Sequence, residues 1–259
     1  MNIGISTGCF FPRHPDESLE AIGMIGAKFT EIFFNTDSEL NDSYLYKLKA
    51  IADKYGIKVI SVHPFTSAIE TFMFWAKVDY KLEDSIKYYE KYFHACQVLG
   101  AEYVVIHGCH DRADYMSMEK YTDIFNALSR KAREYGVYVC QENVVKFKCG
   151  YIDNLKVFKK LADKDVKFVF DLKQAVRAKQ NIYDIIDLMG DRISHIHISD
   201  FTKEENSLLP GTGNFNYKNL FEYVSDKYNV SDILIEVYKE NISGENSLVD
   251  SLELLKNII

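Results

Sequence analysis

Eight short apolar runs recur along the 259-residue chain, and this repetition constrains the fold more than any other feature. The runs are rich in Val, Ile and Phe, as is typical of strands that are buried on both faces. Segments with helical periodicity separate them, and two of these, 43–56 and 121–136, end in the glycine that commonly closes a helix. The runs are NIGIST (2–7), FTEIFFN (29–35), KVISVHP (58–64), YVVIHG (103–108), VYVCQEN (137–143), KFVFDL (167–172), ISHIHISD (193–200) and DILIEVY (232–238).

This alternation predicts the fold class. Parallel strands joined by helical crossovers form a sheet that is covered on both faces, and eight of them favour closure into a barrel over an open, doubly wound sheet. A dinucleotide-binding sheet would need a GxGxxG turn after its first strand, and no such motif follows residues 2–7. With 47% hydrophobic residues, the chain can bury one large core. We therefore expect an α/β protein with a single (β/α)₈ TIM barrel domain over residues 1–259, and with both termini at the amino end of the barrel.

Charge limits the partners of this chain. Its 31 Lys and Arg residues are outnumbered by 38 Asp and Glu residues, which gives a formal net charge of −7. A negative protein repels polyanions, so neither nucleic acid nor an anionic membrane surface is an expected partner. The first ten residues, MNIGISTGCF, contain no basic leader, and no run approaches the roughly 20 apolar residues of a membrane span. These features predict a soluble, cytoplasmic protein, for which a homo-oligomer stays open.

Residues 65–80, FTSAIETFMFWAKVDY, form a connection that is longer than a barrel loop requires and unusually aromatic. Aromatic side chains in such a segment can pack over one end of the barrel. A long loop near a barrel mouth can also serve as a lid or as a wall of the substrate site. The sequence is compatible with both roles.

Ionisable side chains lie at or near the carboxyl ends of six of the eight runs. In a (β/α)₈ barrel this end carries the active site. Glu236 points opposite to Ile235, and His107 points opposite to Ile106, so the polar side chains can face the bore while the isoleucines pack on the helices. One such residue could simply be a hydrogen-bonded core group, but six together favour a functional site. They are His63, His107, Glu142, Asp171, His197 and Glu236.

Three of these residues are carboxylates, and they cannot share a buried bore without compensation. Like charges that lie close together raise one another's pKa, and burying each of them is costly in desolvation. A divalent cation removes this difficulty. Four consecutive strands supply an oxygen, an oxygen, a nitrogen and an oxygen, a set that suits one Mn²⁺, Mg²⁺ or Co²⁺ ion and also admits Zn²⁺. The predicted metal ligands are Glu142, Asp171, His197 and Glu236.

Several of these motifs together resemble the xylose isomerase-like barrel superfamily, and the likeness spans nearly the whole chain. They are the eight-strand order, Glu142 and Asp171 at the ends of strands 5 and 6, HISD at 197–200, LPGTGNFNYKNL at 209–220 and IEVY at 235–238. The four-ligand pattern looks most like the D-tagatose 3-epimerase and D-psicose 3-epimerase group and related sugar phosphate isomerases and epimerases. The resemblance implies that Glu142, Asp171, His197 and Glu236 hold one divalent metal, and that the two glutamates are catalytic and exchange the substrate proton.

The segment ISHIHISD places two histidines on one face of a strand, because they are two residues apart. His197, three residues before Asp200, falls on the metal-ligand position of that family. His195 lies one pleat deeper, and we interpret it as a packed residue behind the metal site.

The implied substrate is a small polyhydroxylated molecule: a ketose, an inosose or a sugar phosphate. Gln174 stands where the 3-epimerases place a substrate-binding histidine, and Lys203 is the nearest replacement for a substrate-contacting arginine. Lys173 shares the bore-facing parity of Asp171, and three roles remain for it, in this order: a counter-ion to the carboxylates, a contact for an anion or phosphate, or a participant in the chemistry. The residues expected to contact the substrate are His63, His107, Lys173, Gln174 and Lys203.

Three alternatives stay open. The related inosose dehydratases lose a hydroxyl group after proton abstraction. Endonuclease IV, a phosphodiesterase that cuts DNA at abasic sites with three metal ions, has counterparts of all six polar residues among its ligands. This chain has Gln174 and ENS (205–207) where that family has further histidines, so a full trinuclear site is not expected. A barrel that binds a metal and a polyol without turnover is the third alternative, because fold and metal do not prove catalysis.

Overall fold

The computed structural model, which describes residues 1–78 and 80–259, contains a closed barrel of eight parallel strands. The strands follow one another around the barrel in chain order, and β8 pairs with β1 to close it. Each strand lies inside one of the predicted apolar runs, so the predicted single-domain (β/α)₈ TIM barrel is confirmed. The strands are β1 (Asn2–Ser6), β2 (Phe29–Phe33), β3 (Lys58–His63), β4 (Tyr103–Ile106), β5 (Tyr138–Glu142), β6 (Lys167–Asp171), β7 (Ile193–Ile198) and β8 (Asp232–Ile235).

Helices connect the strands and cover the outside of the barrel. In α2, the side chains of Leu45, Leu48 and Ile51 recur at helical spacing and are buried. This helix ends at Gly56, whose φ of 61° would strain a residue with a side chain. The helices are α1 (Pro15–Ile25), α2 (Asp42–Tyr55), α3 (Glu70–Met73), α4 (Lys81–Leu99), α5 (Met118–Glu134), α6 (Ile152–Leu161), α7 (Leu172–Arg177), α8 (Ile182–Met189), α9 (Tyr217–Lys227) and α10 (Glu245–Lys256).

The bore is filled in two layers that the alternation of side chains sets. Toward the amino end, Val105, Cys140 and Val169 pack together in an apolar cluster. Side chains in a strand repeat their direction every two residues, so the residues two positions further along face the bore as well. A polar layer therefore lies above the apolar one, at the carboxyl end of the barrel. From these strands it receives His107, Glu142 and Asp171.

Asp200 organises the long loop between β7 and α9. Its Oδ1 accepts the backbone N–H groups of Phe201 and Phe215 at 2.8 and 2.9 Å, and its Oδ2 accepts that of Gly211 at 3.0 Å. Gly213 packs so closely against this carboxylate that a Cβ there would lie 2.4 Å from Oδ1. The aspartate of the HISD motif and the glycines of the following stretch therefore form one structural unit.

Part of the aromatic segment 65–80 packs into the protein; its residue Asp79 lies outside the described residues. A 3₁₀ helix (Phe65–Ile69) leads into α3, and Phe74 and Trp75 beyond it are buried. Trp75 stacks on Tyr121 of α5 with 4.9 Å between the ring centroids, whereas Phe72 is 70% exposed. Packing accounts for the buried pair, and a lid role stays a prediction.

Both chain ends lie at the amino end of the barrel. Met1 and Ile259 line one cavity together with Phe29, the first residue of β2. None of the helices in the described part of the chain combines the length and the apolar character that a membrane span requires.

Candidate functional site

The polar side chains predicted from six strand ends converge inside the carboxyl end of the barrel. Potential ligand atoms of Glu142, Asp171, His197 and Glu236 all lie within 4.8 Å of one another. Because these residues come from consecutive strands, they form one continuous arc around the bore. The same distance limit joins Glu142 to a second group, which consists of His63 and His107.

Three buried atoms of the arc have no hydrogen-bond partner among the described residues: Glu142 Oε2, Asp171 Oδ2 and His197 Nδ1. His197 Nδ1 lies 3.6 Å from Glu142 Oε1 and 3.6 Å from Glu236 Oε2. Leaving such atoms buried and unpaired is costly, and native proteins rarely do so without a reason. Carboxylate oxygens and an imidazole nitrogen are ligands that divalent cations accept. The residues of the arc therefore fit a divalent cation.

A buried glutamate that is not among the residues predicted from the sequence lies beneath the arc. Glu31 in β2 is completely buried. Its Oε2 accepts a hydrogen bond from Ser61 at 2.7 Å and lies 3.3 Å from His197 Nε2 and 3.5 Å from His195 Nε2. Its Oε1 accepts a hydrogen bond from Ser6 at 3.2 Å. Since an ionised carboxylate only accepts hydrogen bonds, His197 donates through Nε2 and presents Nδ1 to the arc.

A sequence signal for Glu31 does exist. The run FTEIFFN contains one charged residue, Glu31. In a strand its side chain points opposite to that of Ile32, and therefore toward the bore. The signal differs from the other six because Glu31 lies in the middle of its strand and not at the carboxyl end. A search for charges inside apolar runs, and not only after them, would have found it.

The two histidines of β7 occupy different environments. His195 is fully buried, and its Nδ1 lies 3.0 Å from the hydroxyl of Ser194. Burial lowers the pKa of His195. Burial acts in the same direction on His197, but the neighbouring carboxylates, Glu31 first and then Glu236 and Glu142, together raise the pKa of His197 well above its usual value. His195 is therefore a neutral group behind the arc, as its depth in the strand suggests.

The carboxyl groups of the arc respond in opposite ways to their surroundings. Burial disfavours the ionised form of Glu142, but the neighbouring histidines, His107 first, outweigh it and hold the Glu142 pKa well below its usual value. At Asp171 burial prevails over the nearby Lys173 and raises the pKa to about 8. Asp171 is thus the carboxyl group that this environment most favours as protonated, and a divalent cation would reverse that preference.

His63 and His107 approach Oε2 of Glu142, whereas His197 approaches Oε1. Their Nε2 atoms lie 3.1 Å apart, and His107 Nε2 lies 3.2 Å from Glu142 Oε2. His63 packs against the ring of Phe33 and is buried, whereas the side chain of His107 keeps 21% of its surface exposed. Of the two, His107 is the more accessible from the mouth of the barrel, and a substrate contact for either of them stays a prediction.

The three other residues predicted to bind substrate differ in position. Lys173 in α7 is buried and donates to Glu236 Oε2 at 2.8 Å, which matches the role of counter-ion. Gln174 uses its Oε1 to accept the backbone N–H of Val145 at 3.2 Å, so it holds the loop after β5. Lys203 is exposed in the loop after β7. A substrate contact for each of them stays a prediction.

A cavity of about 270 Å³ opens beside Glu236 and Lys173. Three aromatic side chains, Phe11, Phe33 and Tyr238, form much of its wall. Apolar walls with a few charged groups at one side are typical of small-molecule sites. A cavity with this volume and lining can receive a small molecule beside Glu236.

Comparison with known proteins agrees with this architecture. The family model described as a xylose isomerase-like TIM barrel matches residues 19–258, which is most of the chain. The matched range includes every residue of the arc and the buried Glu31.

Three solved structures share the fold over almost their whole length. The 3-keto-D-glucoside 4-epimerase of E. coli is 19% identical, with 99% of each chain covered and a TM-score of 0.78. A D-tagatose 3-epimerase-like protein is 20% identical over 100% of this chain and 97% of its own, with a TM-score of 0.82. A probable 3-DHS dehydratase of Bacillus anthracis is 12% identical over 99% of each chain, with a TM-score of 0.80. At these identities the likeness shows the fold.

Proposed function

As the chain belongs to the xylose isomerase-like TIM barrel family, we propose that it is a divalent-metal-dependent isomerase or epimerase of a sugar or sugar phosphate. The observation that carries this proposal is the arc of Glu142, Asp171, His197 and Glu236, in which three buried polar atoms have no hydrogen-bond partner among the described residues. The sugar epimerases among the similar structures agree with it.

A bound divalent cation would polarise the carbonyl of a hydroxyketone and make its neighbouring C–H more acidic. The protein itself supplies two carboxylates for the proton transfer. Glu142 ends β5 and Glu236 follows β8, three strands away in the ring, so they approach the bore from separate directions. One carboxylate removes the proton from one face of the carbon and the other returns a proton to the opposite face, which inverts the carbon.

The surroundings keep both glutamates ready to accept a proton. At Glu236, burial acts to raise the pKa of the carboxyl, but the positive charges of Lys173 and His197 together lower it below its usual value. The histidines around Glu142 have the same effect. His107, at the open side of the site, is placed to donate a hydrogen bond to a substrate hydroxyl.

The test is a substrate screen in deuterated water. Ketoses, inososes and sugar phosphates would be incubated with the protein and Mn²⁺, and proton NMR would follow each carbon-bound hydrogen. We expect inversion of one carbon together with loss of its proton signal to solvent deuterium. Conversion without any exchange would contradict the two-glutamate mechanism, and no conversion of any of these compounds would contradict the assignment to sugar chemistry.

Dehydration is a second candidate reaction, because a probable dehydratase shares the fold with a TM-score of 0.80. The same carboxylate would remove a proton next to the carbonyl, and the neighbouring carbon would then lose its hydroxyl group as water. The NMR screen separates the two reactions: an epimerase keeps every carbon–oxygen bond, whereas a dehydratase produces a new alkene or deoxy-ketone signal.

A further inference from the structure

Lys173 is buried at the carboxyl end of the barrel, in contact with two residues of the arc. Its Nζ donates to Glu236 Oε2 at 2.8 Å and lies 3.4 Å from Asp171 Oδ2, and only 3% of the residue is exposed. The second distance is an ion-pair contact without hydrogen-bond geometry, so Asp171 Oδ2 receives no hydrogen bond from Lys173. One ammonium group thus bridges two of the four residues that form the arc.

The position of Lys173 matters because several carboxyl groups surround the bore. Glu31, Glu142, Asp171 and Glu236 bring four carboxyl groups together. Within residues 1–78 and 80–259, Lys173 is the one lysine or arginine that forms an ion pair with them. A divalent cation held by the same oxygen atoms has the same sign of charge as the ammonium, so the two repel each other where water cannot screen them.

We propose that Lys173 is an internal competitor of the divalent cation: in the metal-free protein its ammonium lies between the carboxyl groups of Asp171 and Glu236, and the cation has to displace it from both. The inference rests on the proposed metal-dependent function and adds what determines the strength of metal binding in this chain. In most protein metal sites the residues near the ligands support binding, whereas Lys173 opposes it.

The surroundings of Lys173 give the side chain a place to move. Its Nζ lies 5.0 Å from the centroid of the Tyr238 ring, a distance at which a cation is attracted to the aromatic face. Lys173 and Tyr238 both line the cavity of about 270 Å³ beside Glu236. The ammonium can therefore leave the carboxylates without losing all of its favourable contacts, and it then lies on the side from which a substrate enters.

The test is a titration of the metal-free protein with Mn²⁺, in which the electron paramagnetic resonance signal of free Mn²⁺ gives the dissociation constant. Lys173→Met keeps the length of the side chain and removes its charge, and we expect it to bind Mn²⁺ about tenfold more tightly or better. Lys173→Arg retains the charge and should stay close to the unaltered protein. Lys167→Met is the matched control, because Lys167 begins β6, the strand that leads into α7, at the opposite end of the barrel.

A lysine that merely braces the ligands would give the opposite sign, since its removal would loosen the arc and weaken binding. Unchanged or weaker binding by Lys173→Met therefore overturns the inference, while Mn²⁺ binding by the unaltered protein still supports the proposed metal-dependent function. If Lys173→Met binds Mn²⁺ and the unaltered protein does not, the result supports the inference in its strongest form, in which the ammonium replaces the cation. Absence of binding by both proteins overturns the inference and the metal dependence together.

Lys173→Met leaves buried carboxylates without a counter-charge, so the variant could require metal in order to fold. In that case both proteins are purified with Mn²⁺ and titrated with a chelator. The competitor role predicts that Lys173→Met retains its metal to a higher chelator concentration than the unaltered protein, and loss at an equal or lower concentration overturns it.

Discussion

Nε2 of His197 lies 3.3 Å from Oε2 of Glu31, so a fully buried carboxylate of β2 holds an imidazole of β7 across the bore. Because a carboxylate only accepts hydrogen bonds, Nε2 of His197 carries the proton that is donated to Glu31. Nδ1 of His197 then faces Glu142 and Glu236. A metal-binding histidine whose other nitrogen donates to a carboxylate is better oriented and more basic.

This contact predicts that Glu31→Gln weakens Mn²⁺ binding by roughly 10–100-fold, the usual cost of losing such a carboxylate. The amide keeps the size of the side chain but removes the charge that orients His197. Titration of the metal-free variant measures the effect. Glu70→Gln is the control, because Glu70 is equally buried but, unlike Glu31, belongs to no group with His197. Equal affinity of the Glu31 variant and the control would contradict the assigned role.

The two histidines of β7 should differ when each is replaced by alanine. His197→Ala removes the one nitrogen of the arc and should abolish stoichiometric binding of a divalent ion. His195→Ala should largely retain the metal, because His195 contacts Glu31 and Ser194 and not the unpaired atoms. Elemental analysis of both purified variants decides the point, and equal metal loss would reverse the interpretation of ISHIHISD.

Much of this site was accessible from the sequence because alternation in a strand is a strict geometric rule. The rule places Glu142, Asp171 and His197 on the bore side once their runs are recognised as strands. Glu31 escaped because it does not follow the pattern of a charge at the end of a run, although its parity is the same.

Bore-facing parity suggests a carboxylate partner for Lys173, but neither the particular carboxylate nor the partner of Gln174 could be predicted, because they depend on how α7 begins. The helix starts at Leu172, directly after the last residue of β6, so Lys173 and Gln174 fold back over the barrel mouth instead of continuing the strand. Lys173 then meets Glu236, 63 positions away in the chain, and Gln174 meets the backbone of Val145. Contacts of this kind are set by the packing of a short helix on the barrel and leave no periodic signal.

A DNA-cleaving activity should be absent. The net charge of −7 disfavours a polyanion, and the side chain of Gln174 accepts a backbone hydrogen bond where endonuclease IV has a histidine. We expect the metal-loaded protein to hold fewer than three ions and to leave a duplex with an abasic site intact. Incision of that duplex, but not of an undamaged one, and its loss in Glu142→Ala, is the result that would favour the phosphodiesterase alternative.

The buried carboxyl group of Glu70 predicts a pH-dependent part of the stability. Burial raises the pKa of Glu70 from 4.5 to about 8, although the N–H of Gly108 and the hydroxyl of Tyr89 donate to it. Because the folded-state pKa lies above the unfolded one, its stabilising effect is complete below about pH 4.5 and is lost as the pH rises through about 8. The loss is at most on the order of 5 kcal/mol.

Urea unfolding across this pH range measures the effect. The free energy of unfolding should fall with rising pH in the unaltered protein, and Glu70→Gln should make the fall smaller, because the amide does not ionise. The other titrating groups are common to both proteins and cancel in the difference. If the free energies of unfolding of the two proteins change in parallel with pH, Glu70 is already ionised in the folded state at the low end of the pH range, which would contradict the prediction.

The two glutamates that we propose to be catalytic should be distinguishable by the epimer that each deprotonates. Glutamine at either position retains one oxygen ligand but no proton acceptor, so Glu142→Gln and Glu236→Gln should lower metal affinity modestly and turnover by roughly 10²–10⁴-fold. Glu102→Gln, an exposed change at the amino end of the barrel where Glu102 pairs with Lys58, is the control for the loss of one negative charge.

Deuterium exchange without inversion then separates the roles of the two residues. If Glu142 and Glu236 act on opposite faces of one carbon, each variant keeps the carboxylate that deprotonates one epimer and loses the one that deprotonates the other. In deuterated water, each variant should therefore exchange the hydrogen of only one epimer, and the two variants should be complementary. Proton NMR of both epimers with both variants measures this directly. Loss of exchange from the same epimer in both cases would mean that one glutamate performs the proton transfer and that the other serves only to bind.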